Sequence, residues 1–199
     1  ATIIAANPQN HQTETPRMTA NQNRQKLLME EMGRMTTDQY KQADKTPLCI
    51  VADEIRSLNN VGSLFRTADA FRLSHIYLCG TMGCPPHPEI HKTALGAEFS
   101  VDWTQADDTL QVVQMLKANG YYALALEQAR GSVSLEKLTV PVGQPLVLVI
   151  GNEVRGVRQD VVNECDVCVE IPQFGTKHSL NVSVSTGMAV WEIFKRLKL

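Results

Sequence analysis

Five short apolar runs set the limits on how this chain can fold. They are LCIVAD at 48–53, HIYLCG at 75–80, YYALALEQ at 121–128, PLVLVIG at 145–151 and DVCVEIP at 166–172. Each is close to continuous rather than alternating. A strand with one wet face alternates apolar and polar residues; a strand covered on both faces does not. Helix-length segments separate the runs, so the pattern specifies an α/β protein, a parallel sheet covered by helices. The spacing predicts a helix over 61–71 and another, capped by Thr104 or Asp107, that ends before Gly120. It also predicts a last helix from about Ser179 or Asn181 toward the C-terminus, and a rigid loop at Pro85, Pro86 and Pro88. In such a sheet the working loops lie beyond the carboxyl ends of the strands. That rule gathers Glu127 and Gln128, 151–156 and 173–181 at one edge.

At 199 residues the chain has room for one well-buried core with at most a small appendage. Residues 1–20 are polar and carry Pro8 and Pro16, which reads as a loose arm. Apolar residues at 27, 28 and 32 predict a short amphipathic helix over 24–32. The expected organisation is an N-terminal arm and helical extension over 1–46, then one domain over 47–199. No run of about 18 uncharged apolar residues is present, so no membrane span is expected. The first residues do not read as a secretory signal. Cysteines at 49, 79, 84, 165 and 168, an odd number, argue for reduced thiols and a cytoplasmic location.

A net charge of −2 gives no global nucleic-acid signal, so a basic surface would have to be local. Candidates are Arg17, Arg24, Lys26 and Arg34, then Arg155 with Arg158, Lys177 with His178, and Lys195, Arg196 and Lys198. There is no P-loop, and no GxGxxG follows the first strand.

Three segments carry more information than the composition. The first is Asn60-x-Gly62-x-x-x-Arg66-Thr67-Ala68, and the second is Gly151-Asn152-Glu153-x-x-Gly156. The third is Ile171-Pro172-x-x-Gly175 followed by Ser179-Leu180-Asn181-Val182-Ser183. A structural helix start needs one small polar cap; this one has Thr176, Lys177, His178, Ser179 and Asn181 within six positions. In this order and spacing the segments resemble the SPOUT superfamily of RNA methyltransferases, in its SpoU/TrmH-like ribose 2′-O-methyltransferase branch. The resemblance covers about 47–197. Two departures stand out: Arg72, where the family often has glycine, and Gln173, where it often has an apolar residue.

The resemblance implies a C-terminal trefoil knot, which periodicity cannot reveal. It implies S-adenosylmethionine in the knot, held by Glu127, Gln128, Ile150, Gly151, Gly156, Ile171, Gln173, Leu180 and Asn181. It implies a tRNA or rRNA substrate touched by Arg66, His87, Lys92, Arg155, Lys177 and His178. It also implies a homodimer, with Met188, Trp191 and Phe194 of the last helix at its interface or simply packed on the sheet.

By the same resemblance Arg66, Asn60, Glu153, Ser179 and Asn181 form the catalytic set. As a general base, Arg66 would need its pKa of about 12.5 lowered by about 5 units, costing roughly 7 kcal/mol. A protonated Arg66 that clamps the substrate phosphate and stabilises the forming alkoxide is the better expectation. Asn60 reads either as a plain helix cap or as the residue that orients Arg66 or the ribose. Glu153 would orient Arg66, from either subunit, or shape the cofactor loop.

Cys84, His87 and His91 have metal-like gaps but no compact fourth ligand, and HPEIH is not HExxH, so no metal is expected. Cys165 and Cys168 read as ordinary strand thiols. Two alternatives share the fold: a knotted methyltransferase acting on a base, and an inactive RNA-binding homologue.

Overall fold

The computed structural model describes residues 25–198. The loose arm expected over 1–20, with Arg17, and the basic candidate Arg24 lie outside the described residues. The chain divides into two units, one ending at Arg34 and the other starting at Met35. In the first, the amphipathic helix expected over 24–32 shrinks to one 3-10 turn, Met29–Met32, with no buried residue. The Leu28 amide donates to Glu31 Oε2 (2.6 Å), and Gly33 at φ 57° ends the turn. A single turn with no apolar face to bury has nothing to extend it.

The second unit opens with α1 (Thr37–Gln42), capped by Thr36, whose hydroxyl accepts the Gln39 amide (3.2 Å). It continues with β1 (Thr46–Asp53), α2 (Leu58–Ala70), β2 (Leu73–Cys79), α3 (Pro88–Ala94), α4 (Ala97–Ser100) and β3 (Trp103–Ala106). Then come α5 (Thr109–Ala118), β4 (Tyr122–Leu126), β5 (Val133–Ser134), β6 (Leu146–Ile150), α6 (Gln159–Glu164), β7 (Val167–Glu170) and α7 (Val182–Lys198). The core reaches back before residue 47: Tyr40 of α1 is 5% exposed, and its hydroxyl donates to Ala68 O (3.4 Å).

All strand pairs are parallel, in the order β3-β2-β1-β6-β4-β7-β5. The continuous runs divide between two cores. Leu48, Ile50 and Ala52 of β1 share a core with Val61, Leu64 and Phe65 of α2 and Ala189, Val190 and Ile193 of α7. Cys49 and Val51 face the other way, toward Val112, Val113 and Leu116 of α5 and Val161 of α6. β6 splits likewise between Leu146 and Leu148 on one side and Val147 and Val149 on the other. All five expected strands are present. β3 and β5 were not expected, because the four residues of β3 are at most half-buried and β5 has only two.

Two local expectations are corrected. The proline-rich stretch is not all loop: Pro88 opens α3, where its missing N–H costs nothing. The cap of α5 is Asp108, which accepts the Gln111 amide (3.3 Å), whereas Thr104 lies in β3. Arg72 adopts φ 49°, the left-handed region that favours glycine, which accounts for the glycine common there in the family it resembles. Among the described residues, no helix is long and apolar enough to cross a membrane.

Candidate active site

Three strands end at one hollow. A cavity of about 470 Å³ lies beyond the carboxyl ends of β4, β6 and β7, bounded by Leu126, Ile150 and Glu170 at the strand ends. Its wall includes Glu127, Gln128, Gly151, Glu153, Arg155 and Gly156 from the first two loops. Ile171, Gln173, His178, Ser179, Leu180 and Asn181 complete it from the third. Every residue expected around a cofactor therefore lies on this one surface. Those outside it are Arg66, Asn60, His87, Lys92 and Lys177.

Asn60 is outside the wall but bonded to it. Its Nδ2 donates to Glu153 Oε1 (2.9 Å), and its Oδ1 accepts from Asn181 Nδ2 (3.2 Å). Glu153 also accepts the backbone amides of Arg56 (2.9 Å, at Oε2) and Ser57 (3.0 Å, at Oε1), at the start of α2. At the other end Asn181 Oδ1 accepts Ser183 N (2.9 Å), Ser183 Oγ (2.6 Å) and Val184 N (3.4 Å), so this side chain begins α7. One hydrogen-bonded chain thus links Glu153, Asn60 and Asn181 and joins the starts of both helices. Burial opposes ionisation of Glu153. The amides of Arg56 and Ser57 and the Asn60 side chain outweigh it, holding the carboxyl below its ordinary value.

The 151–158 loop is held at nearly every step. Asn152 Oδ1 accepts the Val154 (2.9 Å) and Arg155 (3.2 Å) amides, while its Nδ2 donates to Glu54 O (2.7 Å). Asn152 and Gly156 exchange backbone hydrogen bonds (3.1 and 2.8 Å). Glu127 Oε2 accepts the Val157 amide (3.0 Å). The two glycines are required by close approach. A Cβ on Gly151 would lie 2.1 Å from Gly156 C, and one on Gly156, at φ 68°, 2.1 Å from Glu127 Oε2.

Arg66 is exposed and, among the described residues, takes no carboxylate partner and stands apart from the cavity wall. His87 caps α3, its Nδ1 accepting the Glu89 amide (3.2 Å), and Lys92 is exposed on the same helix. Arg155 Nη2 pairs with Glu54 Oε2 (2.7 Å). Gln128 Nε2 donates to His178 O (2.7 Å), and Lys177 is exposed. Sequence reasoning assigned no role to Asn152 and Ser183, although both lie inside the motifs, and Asp53, at the end of a plain apolar run, carried no signal of its own. All five cysteines are free, and burial pushes the Cys165 thiol up to about 12. Among the described residues no group of three or more His, Cys, Asp or Glu side chains could hold a metal ion.

Fold and cavity together define a parallel α/β domain with a cavity at the carboxyl edge of its sheet. Residues 47–191 match the sequence profile of the SpoU rRNA Methylase family, and the chain belongs to that family. It is 30% identical over 155 residues to 23S rRNA (guanosine-2′-O-)-methyltransferase RlmB of Neisseria meningitidis, covering 78% of this chain and 61% of that protein. It is 30% identical over 151 residues to tRNA (guanosine(18)-2′-O)-methyltransferase of Aquifex aeolicus, covering 73% of this chain and 67% of the relative. Among solved structures, the AdoMet-bound rRNA methyltransferase of Sinorhizobium meliloti superposes with a TM-score of 0.71 at 29% identity, over 82% of this chain and 60% of that one. The chain therefore spans about three fifths of the length of several relatives it matches.

Proposed function

We propose that this protein transfers a methyl group from S-adenosylmethionine to a ribose 2′-hydroxyl of tRNA or rRNA, in the cytoplasm and as a homodimer. The observation that carries this reading is the Glu153–Asn60–Asn181 chain at the rim of the cavity. The donor set fits the cofactor. Leu126, Ile150, Ile171, Leu180 and Val182 offer an apolar slot for a purine, with Glu127, Gln128, Gln173 and Ser185 beside it for hydroxyl and amino groups. The volume lies in the range of about 300–1,000 Å³ usual for such ligands. When bound, S-adenosylmethionine supplies a methyl group already activated on its sulfonium.

The chain's own residues then have to position the ribose and manage its proton. Glu153 already accepts hydrogen bonds from Arg56, Ser57 and Asn60 and is held ionised, so it positions Asn60 instead of taking a proton. Asn181 and Ser179 lie on the wall where the transfer would occur. Among the described residues Arg66 has no carboxylate partner, which leaves its fork for a substrate phosphate. Arg155 is held by Glu54 in an exposed pair worth about 0–1 kcal/mol, weak enough for an RNA phosphate to displace. His87 and Lys92 on α3, with Lys177 and His178, extend the RNA contact.

The catalytic domain is assigned to 47–199, with α1 as a brace against it. The knot is supported by the strand order. β7 lies between β4 and β5, so the 127–132 connection crosses the end of β7 where the chain leaves for α7. The dimer is supported by α7, whose exposed Val184 (52%), Met188 (44%) and Trp191 (46%) recur at helical spacing. The free cysteines support a reducing compartment.

The test is incubation with S-adenosylmethionine and a panel of unmodified tRNA and rRNA, followed by digestion to nucleosides. A 2′-O-methylnucleoside is expected from the unsubstituted protein, with a large loss for Arg66→Lys. Methyl groups found only on bases, or none on any RNA, would refute the assignment.

A further inference from the structure

The loop that walls the cavity is hollow on both sides. Asn152, Arg155 and Gly156 line the cavity described above and also a second one of about 510 Å³ behind it, bounded by Asp53, Glu54 and Arg158. Val157 alone of the loop is buried in the second core, and hydrogen bonds hold the rest. Glu127 and Asn152 hold it from the side of the first cavity. Behind it stands Asp53, the last residue of β1, 1% exposed. Its Oδ2 accepts the Arg158 amide (3.1 Å), and its Oδ1 accepts the hydroxyl of Thr109 (2.5 Å), itself 1% exposed at the start of α5. The Arg158 side chain is tied down as well. Its Nε and Nη2 bond Asp160 (3.2 and 2.9 Å), and Nη2 also bonds Asp108 (2.9 Å), the cap of α5.

We propose that Asp53 is a positioning residue for the cofactor loop, anchoring its far end to β1 and α5 through Arg158 and Thr109. The proposal rests on reading the first cavity as the S-adenosylmethionine site. Unlike Glu127, Asp53 does not line that cavity, so removing it alters the wall without removing a ligand contact. Asn at this position keeps the anchor: its Oδ1 accepts the Arg158 amide, and its amide donates to the Thr109 hydroxyl, which can accept. Ala leaves the Arg158 amide and the Thr109 hydroxyl without their partner.

The experiment is amide hydrogen exchange across the full chain, paired with calorimetric titration of S-adenosylmethionine. For Asp53→Ala, exchange over 152–158 should rise about tenfold and cofactor affinity fall about tenfold, the scale of one lost buried hydrogen bond. Exchange in β1 and β6 should stay unchanged. Asp53→Asn should remain within about twofold of the unsubstituted protein on both measures. Folded Asp53→Ala with unchanged loop exchange overturns the proposal, as does a rise matched across the sheet, which would mean general destabilisation. Thr109→Val carries the same test should Asp53→Ala not fold: about a threefold rise confined to the loop supports the anchor, and none overturns it. Failure of the unsubstituted protein to bind S-adenosylmethionine would sink the functional reading, while loop exchange would still judge the anchor.

Discussion

The two loops that face each other across the cavity are built in opposite ways. Residues 151–158 carry internal hydrogen bonds from Asn152, a bridge between Asn152 and Gly156, and outside anchors at Glu127 and Asp53. In residues 172–180, among the described residues, the single hydrogen bond is the one His178 O accepts from Gln128. Phe174 in that loop is 97% exposed. The first loop is fixed by its own hydrogen bonds, and the second has little of its own to hold it. Glu127 and Gln128 bond one loop each, and the Asn60 junction ties Glu153 of the first loop to Asn181, just past the second.

The largest effect should come from breaking that junction. Asn60→Ala should lower the methyl-transfer rate about 100-fold, as for loss of one aligned donor at a reacting centre, with little change in melting temperature. Steady-state rates beside a thermal melt check this; an equal loss in both would make Asn60 a mere helix residue. Next comes a pair of glycines. Gly151→Ala should destabilise the fold by about 1–3 kcal/mol, because the new Cβ meets backbone at 2.1 Å. Gly175→Ala, with nothing within 4 Å, should stay within about 0.5 kcal/mol. Denaturant melts of both variants measure the contrast, and similar values would erase the distinction between the loops.

Trypsin should sharpen it further. Cleavage after Lys177 should precede cleavage after Arg155 or Arg158, and S-adenosylmethionine should slow the first cut most, as read by mass spectrometry of timed digests. The smallest effect concerns pH. The Glu153 carboxyl is held below its ordinary value, so its contribution to stability is complete at neutral pH and is lost as pH falls through the folded pKa. The stability gap between the unsubstituted protein and Glu153→Gln should be flat from about pH 6 to 8 and shrink below about pH 4. A gap that widens on acidification would reverse the assigned charge.

Much of the sheet was legible because burial on both faces leaves a strand no polar positions, as in LVLVI at 146–150. β3 and β5 were not, since edge strands this short need no apolar run. Pro88 concealed α3, because proline ends helices and also begins them. For the site, three motifs on loops after parallel strands were enough to expect convergence. The bonds that realise it join residues far apart in sequence. Glu153 accepts the amide of Ser57, 96 positions earlier, and Asp53 reaches Arg158 across 105. No local pattern records such pairs. Arg66 differs for a simpler reason: six positions at about 100° each turn it about 120° away from Asn60 around the helix.

The most direct measurement is calorimetric titration of S-adenosylmethionine into the unsubstituted protein, Gly151→Ala and Gly175→Ala, each shown to be folded. Saturable binding that Gly151→Ala loses and Gly175→Ala keeps is the predicted result, since the preorganised loop makes the pocket. Equal binding by all three, or none by the unsubstituted protein, would contradict it.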